Sequence, residues 1–112
     1  MAKQYNFDMI RGDTFEFDVI VSDIGTASVT SIYMSCKQKK TDEDYAFQKS
    51  LGDGISDEGD GRFHVRIAPA DTADLKPGMY FYDIQIGIDD VDIYTVLTGT
   101  LGMSMDVTEE TE

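Results

Sequence analysis

Apolar and polar residues alternate along most of the chain, and this two-residue period constrains the fold more than any other feature. Side chains of a β-strand point alternately to opposite faces, so an alternating segment forms a strand with one face buried and the other in water. The first segment spans residues 3–10 and places Tyr5, Phe7 and Met9 on one face. The pattern predicts an all-β protein of half-buried antiparallel strands.

Six further segments follow the same rule: residues 14–22, 30–39, 45–51, 61–68, 79–88 and 92–107. In the last one, Gly99 and Gly102 predict a bulge or bend, because a strand of that length must coil to follow a twisted sheet. Seven strands separated by turn signals predict an immunoglobulin-like antiparallel β-sandwich, with a closed barrel as the alternative. We expect one sandwich domain over residues 1–108 and a short acidic tail over residues 109–112.

The segment between the fifth and sixth strands, residues 69–78, has the sequence PADTADLKPG. Pro69 can start one helical turn there, and Pro77 must end it. Immunoglobulin-type sandwiches pass from one sheet to the other at this point, and a tyrosine corner often follows the crossing. Tyr80 and Tyr82 are the candidates for that tyrosine, and DLKPGMYFYDI resembles the Leu-x-Pro-Gly stretch before the corner tyrosine of fibronectin type III domains, with one residue fewer.

Charge restricts the partners of this protein, because 22 acidic and 9 basic residues give a net charge of −13. Nucleic acids and anionic membranes are bound through Lys and Arg, so we predict neither as a partner. Basic proteins and divalent cations fit the charge better, and solubility alone also explains it. The lone Cys36 cannot form an internal disulfide, and the first residues lack the apolar stretch of a signal peptide, so we expect synthesis in a reducing cytoplasm.

Nothing in the sequence is typical of a catalytic centre, and we predict a non-enzymatic protein without catalytic residues or a cofactor. His64 is the only histidine, and alternation places it on an outward face beside Arg62 and Arg66, where it makes a poor metal ligand or general base. Cys36 falls on the apolar face of its strand, which favours a buried, inert thiol. The chain has no G-x-S-x-G elbow and no glycine-rich phosphate loop.

Residues Arg11, Gly12 and Asp13 spell the tripeptide that integrins recognise. They fall between the first two strands, so the simplest interpretation is the tip of a hairpin, with Gly12 at positive φ and Asp13 bonded to nearby backbone. The chain lacks the secretion signal and disulfides expected of an adhesive protein. The turn needs no ligand to explain it, and a binding role is left open.

Acidic residues are predicted to gather at one end of the sandwich, because alternate loops of an immunoglobulin-type chain share an end. These residues are Asp23, Asp53, Asp57, Glu58, Asp60, Asp89, Asp90 and Asp92. Oxygen ligands from several loops suit Ca²⁺, which makes Asp53, Asp57, Asp60 and Asp89 candidate calcium ligands. The spacing does not match an EF-hand, and solvated loops account for the same residues.

Three aromatic residues, Tyr33, Phe81 and Tyr94, fall at positions that alternation exposes. Exposed aromatic side chains are enriched at protein interfaces, so these three predict a surface that contacts a partner. Coverage by the chain's own loops is the alternative.

Three motifs together resemble a family of small phage and prophage proteins: RGDT after the first strand, G-x-Y-x-YDIQ, and TG-x-L-x-x-x-x-DVT near the end. The characterised relative is the immunoglobulin-like N-terminal domain of upper baseplate proteins from tailed phages. The resemblance implies a structural protein of the virion, in the tail, baseplate, neck or head. It would contact other virion proteins, form a homo-oligomer in a symmetric assembly, and be made and assembled in the cytoplasm of the bacterial host.

Three alternatives stay open. Baseplate proteins of that family continue into further segments, whereas this sequence ends at Glu112, so a domain that decorates a capsid, collar or tail tube also fits. The alternative from a different class is a Ca²⁺-dependent module that binds carbohydrate or a host surface, with the ion held by the loop carboxylates. An acidic protein that imitates nucleic acid is a third interpretation.

Overall fold

The computed structural model describes residues 3–21, 29–59 and 61–105, and these residues are mostly β-strand. The strands are β1 (Lys3–Gln4), β2 (Phe7–Ile10), β3 (Phe15–Ile20), β4 (Val29–Lys37), β5 (Phe47–Leu51), β6 (Gly54–Gly59), β7 (Arg62–Ile67), β8 (Gly78–Ile88) and β9 (Asp92–Ser104), with a short helix α1 (Pro69–Thr72) before β8.

The all-β prediction is confirmed. The first predicted strand is divided into β1 and β2, and β6 was not predicted. The domain limit at residue 108 and the tail at 109–112 lie outside the described residues.

The strands follow the order β1-β9-β8-β4-β5-β6-β7-β3 in one sheet, and β2 pairs with β9 further along its edge. The sheet curls into two layers, so that β2 meets β3: the Phe7 ring lies 4.7 Å from Phe17 and 5.4 Å from Phe15. One layer contains β8 between β4 and β9, and the other contains β7 between β3 and β6. This is the C-F-G and B-E-D arrangement of an immunoglobulin-like sandwich, as predicted.

The sandwich is not purely antiparallel, which corrects one part of the prediction. β1 and β2 both run parallel to β9. β5 and β6 are also parallel, through a short pairing of Ser50 with Gly54 and Leu51 with Ile55. Side chains alternate with a period of two in both kinds of ladder, so the sequence pattern carries no information about strand direction.

The core lies between the two layers and is formed by alternate residues of the strands. Its buried apolar members are Met9, Val19, Val21, Ile32, Met34, Cys36, Phe47, Ile55, Phe63, Val65, Ile67, Tyr80, Tyr82, Ile84, Ile86, Ile88, Leu101 and Met103. Each large apolar side chain that is fully buried contributes about 1.5–3 kcal/mol to stability. The predicted inward faces of β4, β7 and β8 are confirmed residue by residue.

The bulge in β9 lies at Val96 and not at the predicted glycines. Leu97 pairs with Ile84, whereas Thr95 pairs with Gln85, so Val96 is the extra residue. An extra residue reverses the alternation of side chains along the strand. Residues before Val96 therefore face the opposite way from the prediction.

Gly99 and Gly102 allow β1 and β2 to approach β9 closely. A Cβ atom on Gly99 would collide with the carbonyl oxygen of Tyr5, and one on Gly102 would lie 2.6 Å from Oδ1 of Asp8. Glycine is thus required at position 99, where the obstructing atom belongs to the backbone, whereas the Asp8 carboxylate near Gly102 can move aside.

The crossing between the layers contains the predicted helical turn and tyrosine corner. The hydroxyl of Tyr80 donates a hydrogen bond to the carbonyl of Lys76 at 2.6 Å, so Tyr80 is the corner residue. Tyr82 has a different role, because its hydroxyl donates to the carbonyl of Tyr5 at 2.6 Å and so ties down the N-terminal segment. Burial raises the pKa of both phenols.

Candidate protein-binding cleft

The turn containing Arg11, Gly12 and Asp13 is not the tip of a hairpin. β2 pairs with β9 and β3 pairs with β7, so the turn connects the two layers of the sandwich. Gly12 has the expected positive φ of 82°. Its N–H donates to Oγ1 of Thr72 at 2.8 Å, and the Arg11 guanidinium donates to the carbonyl of Leu75 at 3.2 Å. These two hydrogen bonds therefore attach the turn after β2 to the segment that crosses between the layers, residues 69–78.

The candidate calcium ligands lie in different surroundings. Asp57 is part of β6, and its Oδ1 accepts a hydrogen bond from the N–H of Gly59. Asp53 lies in the β5–β6 turn, 3.9 Å from the ammonium of Lys49. Asp89 belongs to the β8–β9 turn, with φ of 52°, and Asp60 and Asp23 are outside the described residues. Within the described ranges, no three His, Cys, Asp or Glu side chains are grouped so that they could hold a metal ion. Calcium binding stays a prediction.

His64 has two acidic neighbours that the sequence did not reveal. Its Nε2 lies 2.7 Å from Oε1 of Glu16, and its Nδ1 lies 2.7 Å from Oδ1 of Asp18. Hydrogen bonds to Glu16 and then Asp18 raise the pKa of His64. Both ring nitrogens can donate only in the imidazolium form, so the two carboxylates favour the cation. The prediction considered Arg62 and Arg66 on the same strand, but the neighbours come from β3 across the ladder.

The three aromatic residues do not share one surface. Tyr33 and Phe81 lie on the outward face of the layer that contains β4 and β8, and the ammonium of Lys40 lies 5.2 Å from the centre of the Phe81 ring. Tyr94 pairs with Ile86, a core residue, so it faces the space between the layers. The bulge at Val96 is the reason for this difference.

The space that Tyr94 faces is an open cleft of about 1050 Å³, which we call the β3–β9 cleft. Its apolar walls are formed by Phe17, Val19 and Val21 on one side and by Ile86, Ile88, Val96 and Leu97 on the other. Charged residues that line the cleft are Lys3, Asp89 and Asp92, together with Asp18, whose carboxylate turns to the outer face and contacts His64. Acidic groups therefore outnumber the basic one at an otherwise apolar opening.

Two strand edges border this cleft. β3 is the last strand of the sheet, and within the described residues it pairs only with β7. Residues 92–96 of β9 pair only with β8 in the described structure, because β1 begins its pairing at Leu97 and β2 at Leu101. Unpaired edges present main-chain donors and acceptors to an incoming chain.

One strongly exposed apolar side chain belongs to the cleft: Ile20 of β3, at 66% exposure. Val91 at 78% and Ile93 at 72% lie in the turn before β9 and on β9, outside the cleft lining. The apolar character of the cleft therefore comes mainly from its walls.

No catalytic arrangement is found among the described residues. Burial raises the pKa of the Cys36 thiol to about 12, which makes it a poor nucleophile at neutral pH. The imidazole of His64 contacts carboxylates on the outer face of its layer, away from the cleft. No helix in the described part of the chain is long and apolar enough to span a membrane.

Fold and cleft together define an immunoglobulin-like β-sandwich that is open along one side. No protein-family model and no curated protein matches the sequence. Among solved structures, a provisionally assigned glycoside hydrolase from Bacteroides vulgatus aligns with 89% of this chain at 14% identity and a TM-score of 0.51, and the chain spans 16% of that protein. The extracellular domain of the voltage-gated sodium channel β4 subunit aligns over 96% of both chains, at 12% identity and a TM-score of 0.49. At such low identity, the first likeness concerns the fold alone.

Proposed function

We propose that this protein is a non-enzymatic structural component of a phage virion, which binds a neighbouring virion protein through the open side of its sandwich. The observation that carries the proposal is that two strand edges, unpaired among the described residues, border the apolar β3–β9 cleft. Edges of this kind favour association with another chain unless they are protected.

The virion role is supported by the resemblance of the RGDT, G-x-Y-x-YDIQ and TG-x-L-x-x-x-x-DVT motifs to small phage proteins. Three residues of these motifs have structural roles in this fold. Gly12 forms the turn between the layers, Tyr80 forms the tyrosine corner, and Gly99 allows close contact with the N-terminal segment. The proposal covers a position in the tail, baseplate, neck or head.

The charge of the chain indicates the kind of neighbour. A net charge of −13 disfavours contact with another strongly acidic surface and favours a basic one. In a ring or shell, contacts with basic neighbours would neutralise the negative charge of the acidic subunits and so reduce the repulsion between copies. Copies of this chain in a homo-oligomer would therefore be held together by other virion proteins as well as by their own contacts.

Quantitative mass spectrometry of purified phage particles tests this proposal. The particles are obtained by induction of the strain that carries the gene and are purified through a density gradient. We expect the chain at a copy number that corresponds to the rotational symmetry of the tail, neck or head. If the chain is produced during induction but is missing from the purified particles, the virion role is wrong.

A further inference from the structure

We infer that the β3–β9 cleft accepts an extended, basic segment of a different protein, which pairs with the free edge of β3 as an additional strand. This inference rests on the proposed function, because it names the kind of partner that the open side would bind. β-Strand addition of this type combines main-chain hydrogen bonds with pockets for alternate side chains.

The main chain of β3 is arranged to accept a strand. Val21 donates its N–H to the carbonyl of Gly61 at 2.8 Å, on the β7 side of the strand. Main-chain groups of successive residues in an antiparallel strand point to opposite edges. The N–H and C=O groups of Glu16, Asp18 and Ile20 therefore point to the free edge.

Among the described residues, the edge of β3 lacks most of the usual protections against pairing, and its charged side chains are the acidic Glu16 and Asp18. β3 matches β7 without a register shift from the pair Phe15–Ile67 to the pair Ile20–Arg62, so the edge contains no bulge. Its sequence, FEFDVI, has no proline and no lysine, which commonly block edges. The residues of β9 that border the cleft include the bulge at Val96, so β3 is the better acceptor of the two.

The cleft specifies the side chains of the incoming strand. Every second side chain of a strand beside β3 would point into the cleft, where Val19, Val21 and Ile88 form apolar walls. The intervening side chains would point outward, next to Glu16 and Asp18. A partner segment with apolar residues at alternate positions and Lys or Arg between them satisfies both faces.

Charge distinguishes a different protein from a second copy of this chain. Asp89 and Asp92 line the cleft, and the whole chain carries a net charge of −13. A second copy would bring further negative charge to this acidic opening, whereas a basic segment would be attracted to it.

A designed peptide of eight residues, with valine and lysine alternating, is the probe for this inference. Fluorescence anisotropy measures its binding to the full-length protein, and the control peptide has the same composition with four lysines followed by four valines. We expect the alternating peptide to bind more tightly by about tenfold, because only alternation places every valine in the cleft. Equal binding of the two peptides would show simple charge attraction and would overturn the inference.

Nuclear magnetic resonance locates the pairing on the protein. On binding, we expect the amides of Asp18 and Ile20, which point to the free edge, to become protected from hydrogen exchange. The amide of Val19 points to β7 and should change little. Changes confined to the outward face around Tyr33, or a protein dimer formed through β3 without peptide, would contradict the inference.

Two variants test the edge and the charge separately. Ile20→Pro removes an N–H from the free edge at an exposed position, and we expect peptide affinity to fall about tenfold. Asp92→Lys reverses a charge at the cleft and should weaken binding about fivefold at low salt. The matched control is Asp44→Lys, an exposed residue outside the cleft lining, which should have little effect. Unchanged affinity in Asp92→Lys and in a folded Ile20→Pro variant would overturn the inference.

The same variants separate this inference from the virion role. If the chain binds the peptide but is absent from particles, the inference of strand addition is supported and the proposed virion role is wrong. If folded Ile20→Pro and Asp92→Lys chains are incorporated into particles normally, the virion role is supported and strand addition at this cleft is not needed for it.

Discussion

At the scale of single residues, two ionic contacts connect elements that are distant in sequence. His64 of β7 lies between Glu16 and Asp18 of β3, and Lys49 of β5 meets Asp71 of α1 with its ammonium 2.9 Å from Oδ2. The first contact is exposed to solvent and the second is largely buried. The two are therefore expected to respond differently to pH and to substitution.

The imidazole of His64 should titrate above its ordinary value of 6.5, because the folded protein stabilises its charged form. A raised pKa in the folded state means that the contact adds stability below the unfolded pKa and loses it as pH rises through the folded pKa. Nuclear magnetic resonance titration of this single histidine measures the midpoint. Glu16→Gln should move the midpoint back toward 6.5, and a wild-type midpoint at or below 6.5 would contradict the bridged geometry.

Removal of the Asp71 carboxylate should destabilise the fold strongly. Lys49 is nearly inaccessible to solvent, and Asp71 also accepts a hydrogen bond from the N–H of Ala68 at 2.7 Å. Asp71→Ala leaves the buried ammonium with only the exposed Asp53 carboxylate, 3.9 Å away, which costs about 3 kcal/mol. Urea denaturation measures the change, and the exposed Asp74→Ala serves as control, with an expected effect within about 0.5 kcal/mol. Equal effects of the two substitutions would disprove the role of the ion pair.

At the scale of elements, the N-terminal strands form a separate structural feature. β1 and β2 pair in parallel with β9 and leave residues 92–96 of that strand without a second neighbour among the described residues. Their position depends on the glycines of β9 and on the hydroxyl of Tyr82, which donates to the Tyr5 carbonyl. The length of the open edge is thus set by where the N-terminal strands pair.

Substitution of Gly99 by alanine should displace β1. The added methyl group would collide with the Tyr5 carbonyl, and we expect a loss of about 2 kcal/mol in stability. Hydrogen exchange of the Tyr5 amide, which donates to the Thr98 carbonyl at 2.9 Å, reports the displacement directly. Thr95→Ala, on the part of β9 that β1 does not reach, is the control, and an unchanged Tyr5 exchange rate in Gly99→Ala would contradict this packing.

At the scale of the whole molecule, the acidic charge is spread over turns and strands. Asp57 belongs to a strand and Asp53 lies near a lysine, so these carboxylates have separate environments. A dispersed charge of this kind promotes solubility and attracts basic partners without a specific ion site. We expect this negative charge to attract a basic partner toward the open side of the sandwich.

Calcium should have little effect on the whole molecule. Asp57 accepts a hydrogen bond from Gly59 and Asp53 lies near the Lys49 ammonium, and because these carboxylates have separate partners we expect no measurable heat when millimolar Ca²⁺ is titrated into the protein. Calorimetry on the wild type and on Asp57→Ala with Asp60→Ala provides the measurement. A binding heat that disappears in the double variant would instead support the calcium-dependent module.

Much of the fold was predictable because alternation reports which side chains face the core. Ile32, Met34 and Cys36 are buried as their spacing predicted. β6 was missed because GISDEG contains one apolar residue and resembles a turn. Tyr94 is exposed as predicted, at 51%, but it faces the cleft and not the outer surface, because a bulge without a sequence signature at Val96 reverses the period.

The sequence by itself determined most of the strands, the inward faces of β4, β7 and β8, the crossing with its tyrosine corner, and the strongly acidic character. Each of these depends on a local pattern or on composition. Only the tertiary structure decided that β2 pairs with β9 and not with β3, that His64 meets two carboxylates, and that β3 ends the sheet beside an open cleft. Strand partners are chosen by packing between distant segments, and a period of two is the same whichever strand lies alongside.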